Sequence, residues 1–302
     1  MSSLQFKPVT LRDKAWVDPI VMAENSPSAD YNFGNIYIWD QFYKQSICRY
    51  ENRMLTRLDY GEECAFVYPI GSGPLAPAIE ALRACCAENG CPLVFYGVTE
   101  KHRDALAALY PGCFTFEKGA DYADYIYSAE KLATYAGKAL HGKKNHCNRF
   151  EAEQDDWDFV PITRERIPGC LEMLELWTEE NAGRLDSSIR DEHEAILRAF
   201  ADYEALGLEG GILRSGGEIL GFSLGEMASP DTFNVHFEKA ETAVNGAYPM
   251  VCRELTRMVM QLHPGLRYVN REDDMGLETL RKSKLSYRPE FLLEKYSARW
   301  TA

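Results

Sequence analysis

The segment TFNVHFEKA carries side chains of a kind that can move a proton. Alternation along an extended strand puts Asn234, His236 and Glu238 on one face and Val235 and Phe237 on the other. An imidazole or a carboxylate can act as a general base when its pKa lies near the working pH. The same alternation is also typical of an edge strand with one face in solvent. The segment is therefore either a reactive strand face or an exposed edge strand.

The segment NREDDMGLETLRKSKLSYRPE follows a short apolar run, LRYVN, that is typical of a strand. Asn270 and Arg271 end this run, and open α/β sheets bind ligands at the carboxyl ends of their strands. Asp273 and Asp274 are predicted to cap the helix that follows. A capped helix with a basic last turn would also explain these charges without a ligand. The basic residues of that turn are Arg281, Lys282 and Lys284.

Two further stretches contain candidate site residues. Tyr287 and Arg288 follow the predicted helix, and Tyr287 is either a core aromatic or a phenol that returns a proton to a leaving group. The stretch NGAYP leads into another helix, whose first N–H groups could hold a phosphate or a terminal adenosine. A plain helix start, with Pro249 in its first turn, explains the same pattern.

The segment GKALHGKKNHCNRF concentrates positive charge in an acidic chain. Its Lys143, Lys144 and Arg149 form either a solvated helix face or a patch that binds a polyanion. The segment NFGNIYIWDQFY places Trp39 and Tyr43 at helical spacing. These two aromatic residues belong either to the core or to the lining of a binding groove.

The composition is that of a globular protein. The chain has 302 residues, of which 46% are hydrophobic and 26% are charged, and this length suits two domains. Its net charge of -13 weighs against a large nonspecific nucleic-acid surface. The nine cysteines include no C-x-x-C pair, so we expect reduced thiols and no zinc site. A signal peptide and a membrane-spanning run are not evident, which predicts a cytoplasmic location.

The predicted elements recur in the same order in the two halves of the chain. Each half is predicted to contain a strand, two helices, a meander of strands, a helix, a strand, a helix and a closing strand. The hairpin GGILRSGGEILGFSLGEM, with its Ser-Gly-Gly turn, is a strong signal in the second half. A helix over residues 128–150 is predicted between the halves.

This element order resembles the GNAT acyltransferase superfamily, and two such domains in tandem resemble the Fem-type aminoacyltransferases. The closer resemblance is to the C-terminal domain of phosphatidylglycerol lysyltransferases and the bacterial proteins grouped with it. It is carried by NFGNIYIWDQFY, GKKNHCNRFE, HFEKAETAVNGAYPM and NREDDMGLETLRKSKLSYRP. The implied fold is α+β or α/β, with two tandem GNAT-like domains, each a mixed central sheet flanked by helices. The implied ranges are an N-terminal domain over 1–128, a linking basic helix over 129–150 and a C-terminal domain over 151–302.

The resemblance implies that the strand carrying His236 and Glu238 opens away from LRYVN to admit a donor. Either side chain would then be the general base, and Tyr287, returned to the split by the preceding helix, would protonate the leaving group. The second domain would carry the donor and the chemistry, while a groove between the domains would take the acceptor or tRNA. The residues assigned to donor or substrate are Asn245, Gly246, Tyr248, Asn270, Arg271, Arg281, Lys284, Arg288, Lys143, Lys144, Arg149, Trp39 and Tyr43.

Two features depart from the family patterns. The sequence shows no counterpart of the membrane-spanning N-terminal portion of the lysyltransferases. The loop ETAVNGAYP also differs from the Arg/Gln-x-x-Gly-x-Gly/Ala turn with which GNAT enzymes hold the pyrophosphate of coenzyme A.

The resemblance implies transfer of an aminoacyl group from aminoacyl-tRNA to an amine or hydroxyl acceptor, such as a lipid or a cell-envelope precursor. Two alternatives remain open: an acyl-CoA-dependent N-acetyltransferase, and a non-catalytic binding or regulatory module of the same fold. We expect no permanently bound cofactor and no metal, with aminoacyl-tRNA or acyl-CoA as the donor co-substrate. The expected partners are tRNA, a small-molecule, lipid or peptide acceptor, and a membrane surface contacted peripherally.

Overall fold

The chain forms two compact units, each with its own seven-stranded sheet. The computed structural model describes residues 4–58, 64–180 and 187–302. The first unit comprises the chain up to Asp124 together with Asp273–Leu277 and Leu292–Ala302. The second unit comprises Tyr125–Glu272 and Glu278–Phe291. Neither unit is a single continuous stretch of the sequence.

The first unit opens with two helices and a meander of strands. In its first helix, Val17, Ile20 and Val21 recur at helical spacing and are buried, which accounts for helix formation there. Its elements are β1 (Lys7–Pro8), α1 (Lys14–Glu24), α2 (Phe33–Tyr43), β2 (Ser46–Tyr50), β3 (Arg53–Leu58), β4 (Cys64–Gly71), α3 (Leu75–Glu88), β5 (Leu93–Thr99), α4 (Glu100–Leu109), β6 (Phe114–Lys118) and β14 (Lys295–Trp300).

The second unit repeats this order of elements. Gly216 and Gly217 both have positive φ and form the tight turn of the predicted hairpin. Val251, Leu255 and Val259 form the buried stripe of its longest helix, which packs on the sheet. Its elements are β7 (Asp124–Ser128), α5 (Ala129–Thr134), α6 (His141–Glu153), β8 (Asp158–Pro161), α7 (Ile167–Glu180), α8 (Ser187–Ala201), α9 (Tyr203–Leu206), β9 (Glu209–Ser215), β10 (Glu218–Ser229), β11 (Thr232–Ala240), α10 (Ala247–Leu262), β12 (Tyr268–Asn270), α11 (Glu278–Ser286) and β13 (Phe291–Leu293).

The two sheets share one strand pattern. The order is β1-β2-β3-β4-β5-β14-β6 in the first sheet and, read from the corresponding edge, β8-β9-β10-β11-β12-β7-β13 in the second. The parallel pairs are β4 with β5 and β11 with β12. In the first sheet the parallel pairing ends at Val67 opposite Tyr96, although β4 continues. In the second sheet it ends at Asn234 opposite Asn270, although β11 continues. The prediction that both halves share a fold is therefore confirmed, and each sheet contains one splayed parallel strand pair.

One strand of each sheet comes from the other half of the chain. β14 lies between β5 and β6 in the first sheet, and β7 lies beside β12 in the second. The compact units therefore differ from the predicted ranges 1–128 and 151–302, because the closing strand of each half pairs in the sheet of the other half. The predicted final strand is likewise divided between β13 and β14, which belong to different sheets.

The predicted linking helix over residues 129–150 is two helices, α5 and α6, and the prediction of a single helix was wrong. The break falls where Tyr135 and Gly137 adopt left-handed φ values of 46° and 93°. Tyr135 is buried, and its hydroxyl donates a hydrogen bond of 2.9 Å to the carbonyl of Pro249. The left-handed backbone at Tyr135 ends α5, so the segment does not continue as one helix.

The prediction that Asp273 and Asp274 cap a helix was also wrong. Their carboxylates accept hydrogen bonds from the backbone N–H groups of Met275 at 2.9 Å and Gly276 at 3.0 Å. These are turns in which an aspartate binds the backbone two residues ahead, and Met275 and Gly276 have positive φ there. The helix itself, α11, begins later, at Glu278.

Two expectations from composition bear on the described residues. No helix among them is long and apolar enough to cross a membrane. Seven cysteines are free thiols, but Cys91 is disulfide-bonded, so the expectation of reduced thiols was wrong at that position. A disulfide depends on the positions of two cysteines in space, which their spacing along the sequence did not reveal.

A buried ion pair fixes β14 in the first unit. The ammonium group of Lys295 lies 2.7 Å from Oδ1 of Asp124 and 2.9 Å from Oδ1 of Asp30. Lys295 and Asp124 are only 4% and 1% exposed. Burial lowers the pKa of Lys295, but the two aspartates outweigh burial and raise that pKa well above its usual value. The charged form is therefore favoured in the folded protein.

We predict that Lys295→Met lowers the free energy of unfolding by about 3 to 5 kcal/mol, because it leaves the buried carboxylate of Asp124 without its cation. Lys118→Met is the matched control, since Lys118 is an exposed lysine paired with Glu294 in the same unit. We expect a much smaller effect from the control, because solvent screens exposed pairs. Denaturant unfolding of both variants measures the difference, and equal losses would contradict a special role for the buried pair.

Candidate functional site

The site is built where β11 and β12 diverge in the second unit. Parallel pairing ends at Asn234 opposite Asn270, whereas β11 continues to Ala240. The chain leaves β12 through Arg271 and Glu272. β11 therefore runs past the end of its neighbour.

β11 also bulges at His236, since Gly225 pairs with Val235 and the next residue, Leu224, pairs with Phe237. This extra residue shifts the alternation and puts Glu238 on the opposite face from Asn234, so the prediction of one shared face for Asn234, His236 and Glu238 was wrong.

His236 lies between two carboxylates. Its Nε2 is 3.0 Å from Oε1 of Glu226, and its Nδ1 is 3.1 Å from Oε1 of Glu272. Asn234 donates a hydrogen bond of 2.8 Å to the same oxygen of Glu272. Burial lowers the pKa of His236, but hydrogen bonds to the two glutamates outweigh burial and raise it to about 9. At neutral pH the ring is a cation with both nitrogens engaged, so this geometry disfavours His236 as the general base.

Glu238 and Arg271 form a nearly buried ion pair. Nη2 of Arg271 lies 2.7 Å from Oε1 of Glu238, and the two side chains are 13% and 9% exposed. Burial raises the pKa of Glu238, while the charges of Arg271 and Lys143 oppose the rise. A carboxylate with a raised pKa is better matched to accepting a proton near neutral pH than an ordinary one. Glu238 therefore suits the role of base better than His236.

Tyr287 lies beside this pair. The centre of its ring is 4.5 Å from Cζ of Arg271 and 3.6 Å from Nζ of Lys143. The rings of Tyr127 and Tyr135 pack on its other sides, and Tyr287 is only 3% exposed. Burial raises the pKa of Tyr287 well above its usual value, so the phenol stays protonated and can donate its proton. The expected return of Tyr287 to the neighbourhood of Arg271 is observed.

The start of α10 is closed by α6. A Cβ atom on Gly246, whose φ is 88°, would lie 2.4 Å from the carbonyl oxygen of His146. Oδ1 of Asn245 lies 2.8 Å from Nδ1 of His146, so α6 occupies the approach to this helix end. The N–H of Ala247 already donates to the carbonyl of Val244 at 3.2 Å. These contacts leave little room for a phosphate on the first turn.

Three other candidates contact the site or its neighbours. Tyr248 accepts a hydrogen bond of 3.1 Å from Nε1 of Trp177. Nζ of Lys284 donates to the carbonyl of Arg271 at 2.5 Å. Asn270 is buried, and its Oδ1 accepts a hydrogen bond of 2.6 Å from the N–H of Glu272. Lys284 and Asn270 therefore support the backbone that presents Arg271.

The remaining candidates lie away from the pair of Glu238 and Arg271. Arg281 is half-buried on α11, and Arg288 is exposed with a left-handed φ of 57° just after that helix. Lys144 and Arg149 are exposed on α6, where Arg149 pairs with Glu153 at 2.7 Å. In the first unit, Trp39 and Tyr43 pack on each other with ring centres 6.0 Å apart. The predicted acceptor groove between the domains stays a prediction.

Glu226 and Glu272 were not predicted as site residues, and Lys143 has a contact that the sequence did not indicate. Glu226 lies between small and apolar residues in the interior of β10, and an acid in a buried stretch of strand is a usable signal. Glu272 stands next to the two aspartates that were predicted to cap a helix, and no role was predicted for it. Lys143 was placed in a polyanion patch, but its ammonium group lies on the ring of Tyr287.

The corresponding split in the first unit is closed by its own side chains. Glu24 accepts a hydrogen bond of 3.0 Å from the N–H of Gly71 on β4, and Tyr31 donates one of 2.6 Å to the carbonyl of Gly97 on β5. His102 lies between them, 3.0 Å from Oε1 of Glu24 and 3.0 Å from the hydroxyl of Tyr31. The diverging strands of this unit are therefore bridged by a continuous chain of polar contacts.

Two units of this topology, each with one splayed parallel strand pair, define a tandem GNAT-like protein of the α+β class. The family model described as phosphatidylglycerol lysyltransferase, C-terminal, matches residues 24–299. The chain belongs to this family of aminoacyltransferase-like domains.

Known proteins similar to the chain support this assignment. A conserved protein of unknown function from Bacteroides thetaiotaomicron VPI-5482 is 34% identical, with a TM-score of 0.93 and coverage of 99% of this chain and 100% of that one. L-PGS from Bacillus licheniformis is 16% identical, has a TM-score of 0.67 over 97% of this chain and 92% of that one, and shares the fold. An uncharacterized protein of Mycoplasmoides gallisepticum is 27% identical over 179 residues, which span 57% of this chain and 54% of that protein. The chain thus matches about half the length of this curated relative.

We predict that His236 stabilises the fold in acid and neutral solution and loses this effect in alkali. Its folded pKa of about 9 exceeds the ordinary value of 6.5, so the stabilisation is complete below about pH 6.5 and is lost as the pH rises through about 9. The shift corresponds to roughly 3 kcal/mol in the free energy of unfolding. Unfolding measured at pH 6 and pH 10 for the parent and for His236→Gln isolates this contribution. Identical pH dependences would contradict a charged His236.

Proposed function

We propose that the second unit transfers an aminoacyl group from aminoacyl-tRNA to an amine or hydroxyl of an acceptor, such as a lipid or a cell-envelope precursor. The observation that carries this proposal is the carboxylate of Glu238, which is buried at the divergence of β11 and β12 with a raised pKa. Family membership supports aminoacyl transfer as the class of reaction. The name of the family includes a lysyl group and a lipid acceptor, and we extend only the type of reaction to this chain.

The residues of the site suit a direct attack. Glu238 takes the proton of the attacking amine or hydroxyl as the new bond forms to the acyl carbon. The ester bond to the tRNA ribose then breaks, and the phenol of Tyr287 protonates the departing oxygen. His236 is a positioning residue, since it fixes Glu226 and Glu272 around β11 through hydrogen bonds. No step requires a covalent intermediate on the protein.

The closed start of α10 favours aminoacyl-tRNA over acyl-CoA as the donor. A GNAT enzyme that uses coenzyme A holds the pyrophosphate on this turn, as the resemblance implies. Here the carbonyl of His146 approaches Gly246 too closely for any side chain, and Pro249 offers no N–H.

A non-catalytic module is disfavoured by the direction of Glu238. A carboxylate used only for solubility is ordinarily hydrated, because burial of an unpaired charge is costly. Glu238 instead points inward to Arg271, and only 9% of its side chain is exposed.

We predict that Glu238→Gln lowers turnover by about 10²- to 10⁴-fold, because the amide cannot accept the proton. The variant retains an oxygen for the guanidinium of Arg271, so we expect it to stay folded in thermal melts. Glu218→Gln is the matched control, since Glu218 is an exposed acid on β10. Each protein is incubated with charged tRNA or with acyl-CoA, with cell extract as the source of acceptors, and donor loss is followed by mass spectrometry. Parent-like turnover in Glu238→Gln would remove Glu238 from the chemistry, and turnover of acyl-CoA alone would identify the other donor.

We also predict that the exposed face of α6 contributes to tRNA binding. Charge reversal at Lys144 and Arg149 should weaken binding and flatten its dependence on salt, because fewer counterions are released. The control reverses Lys118, an exposed lysine of the first unit. Binding of tRNA is measured across a salt series for both variants. Unchanged affinity in the α6 variant would show that the charges of Lys144 and Arg149 are only solvated.

A further inference from the structure

Two cations of the second unit lie over the same aromatic ring, but only one of them is hydrogen-bonded to a carboxylate. Lys143 and Arg271 lie 3.6 Å and 4.5 Å from the centre of the Tyr287 ring. Arg271 donates through Nη2 to Glu238, whereas its Nη1 is buried without a hydrogen-bond acceptor in the described part of the chain. Half-buried Lys143 likewise has its ring contact but no hydrogen bond or ion pair with any described residue.

This arrangement is electrostatically unfavourable in the free protein. Burial and the charge of Arg271 both lower the pKa of Lys143. One carboxylate, that of Glu238, cannot neutralise two neighbouring cations, and an unsatisfied buried donor costs about 1 to 3 kcal/mol. Groups perturbed in this way by burial and by a specific neighbour are enriched at functional sites. Beside the Tyr287 ring, the two cations therefore outnumber the single carboxylate by one charge.

We propose that Arg271 and Lys143 form an oxyanion site, which binds the negatively charged oxygen that forms when the nucleophile adds to the acyl carbon. This inference rests on the transfer reaction proposed above. A nucleophile that gives its proton to Glu238 lies beside that carboxylate, and Glu238 is bonded to one nitrogen of the guanidinium. The acyl carbon under attack is then close to the same guanidinium, and Nη1 is the donor that remains for its oxygen.

The step balances in atoms and electrons. The lone pair of the nucleophile forms the new bond to carbon, its proton passes to Glu238, and the π pair of the carbonyl moves onto the oxygen. Nη1 of Arg271 and Nζ of Lys143 hold that oxyanion. On collapse the pair re-forms the double bond, the ester bond breaks, and the ribose oxygen takes a proton from Tyr287. Donors fixed in advance in a site that excludes water stabilise such a charge without reorganisation.

The test compares two lysines of the second unit. Lys143→Met keeps the length of the side chain and removes its charge, while Lys131→Met makes the same change at an exposed position of α5. We expect kcat for transfer from charged tRNA to fall by about 10²- to 10³-fold in Lys143→Met with KM unchanged, since the charge it meets exists only in the transition state. Lys131→Met should retain the parent kcat, and Lys143→Arg should recover part of the loss.

Two kinetic outcomes would overturn the proposal. One is a parent-like kcat in Lys143→Met. The other is a raised KM with unchanged kcat, which would assign the cations to an anionic group of a substrate in its ground state.

A binding measurement keeps this test separate from the proposed function. Methylphosphonate, a small tetrahedral anion, is titrated by calorimetry into the parent and both methionine variants without any donor. Binding to the parent and to Lys131→Met, but at least tenfold weaker binding to Lys143→Met, would support the oxyanion site even if charged tRNA is not turned over. A parent protein that does not bind methylphosphonate would overturn it, even if transfer is observed.

Discussion

Parallel pairing between β11 and β12 ends at Asn234 and Asn270, and the charged groups of the site lie at or beyond that point. The end of pairing frees one side of β11, and charged side chains enter there in place of a neighbouring strand. Glu272, held at a left-handed φ of 58°, is fixed by hydrogen bonds from Asn234 and His236. This fixed turn directs Arg271 toward Glu238, so the geometry of the pair depends on the charged imidazole.

In the first unit, the corresponding divergence of β4 and β5 is bridged by polar groups that hydrogen-bond to one another. Glu24, His102 and Tyr31 connect the N–H of Gly71 to the carbonyl of Gly97 across the split. Each polar group of that chain of contacts has its partner within the unit. In the second unit, Nη1 of Arg271 remains without one among the described residues. The split in the first unit is therefore closed by its own polar contacts. The split in the second unit keeps a buried N–H donor without an acceptor among the described residues.

The order of elements and the hairpin were predictable because turn residues and apolar periodicity are local signals. The exchange of closing strands was not predictable, since strands of similar pattern can pair in either sheet and the choice depends on distant partners. The break at Tyr135 was hidden within an apolar stripe that also suits a continuous helix. The faces of β11 did not follow from alternation, because the bulge at His236 shifts the pattern. The protonation of His236 depends on Glu226 and Glu272, which come from two other segments.

The exchanged strand also has a consequence for the order in which the protein can fold during synthesis. β14 lies between β5 and β6, yet the ribosome makes it only after the whole of β8 to β13. The edges of β5 and β6 that will receive it stay open throughout that interval, which at typical elongation rates of about 5 to 20 residues per second lasts roughly ten seconds or more. Open strand edges recruit other strands, so newly made chains are exposed to misassembly during this interval. The nascent first unit is therefore the part of this protein in which a chaperone would have the most to protect.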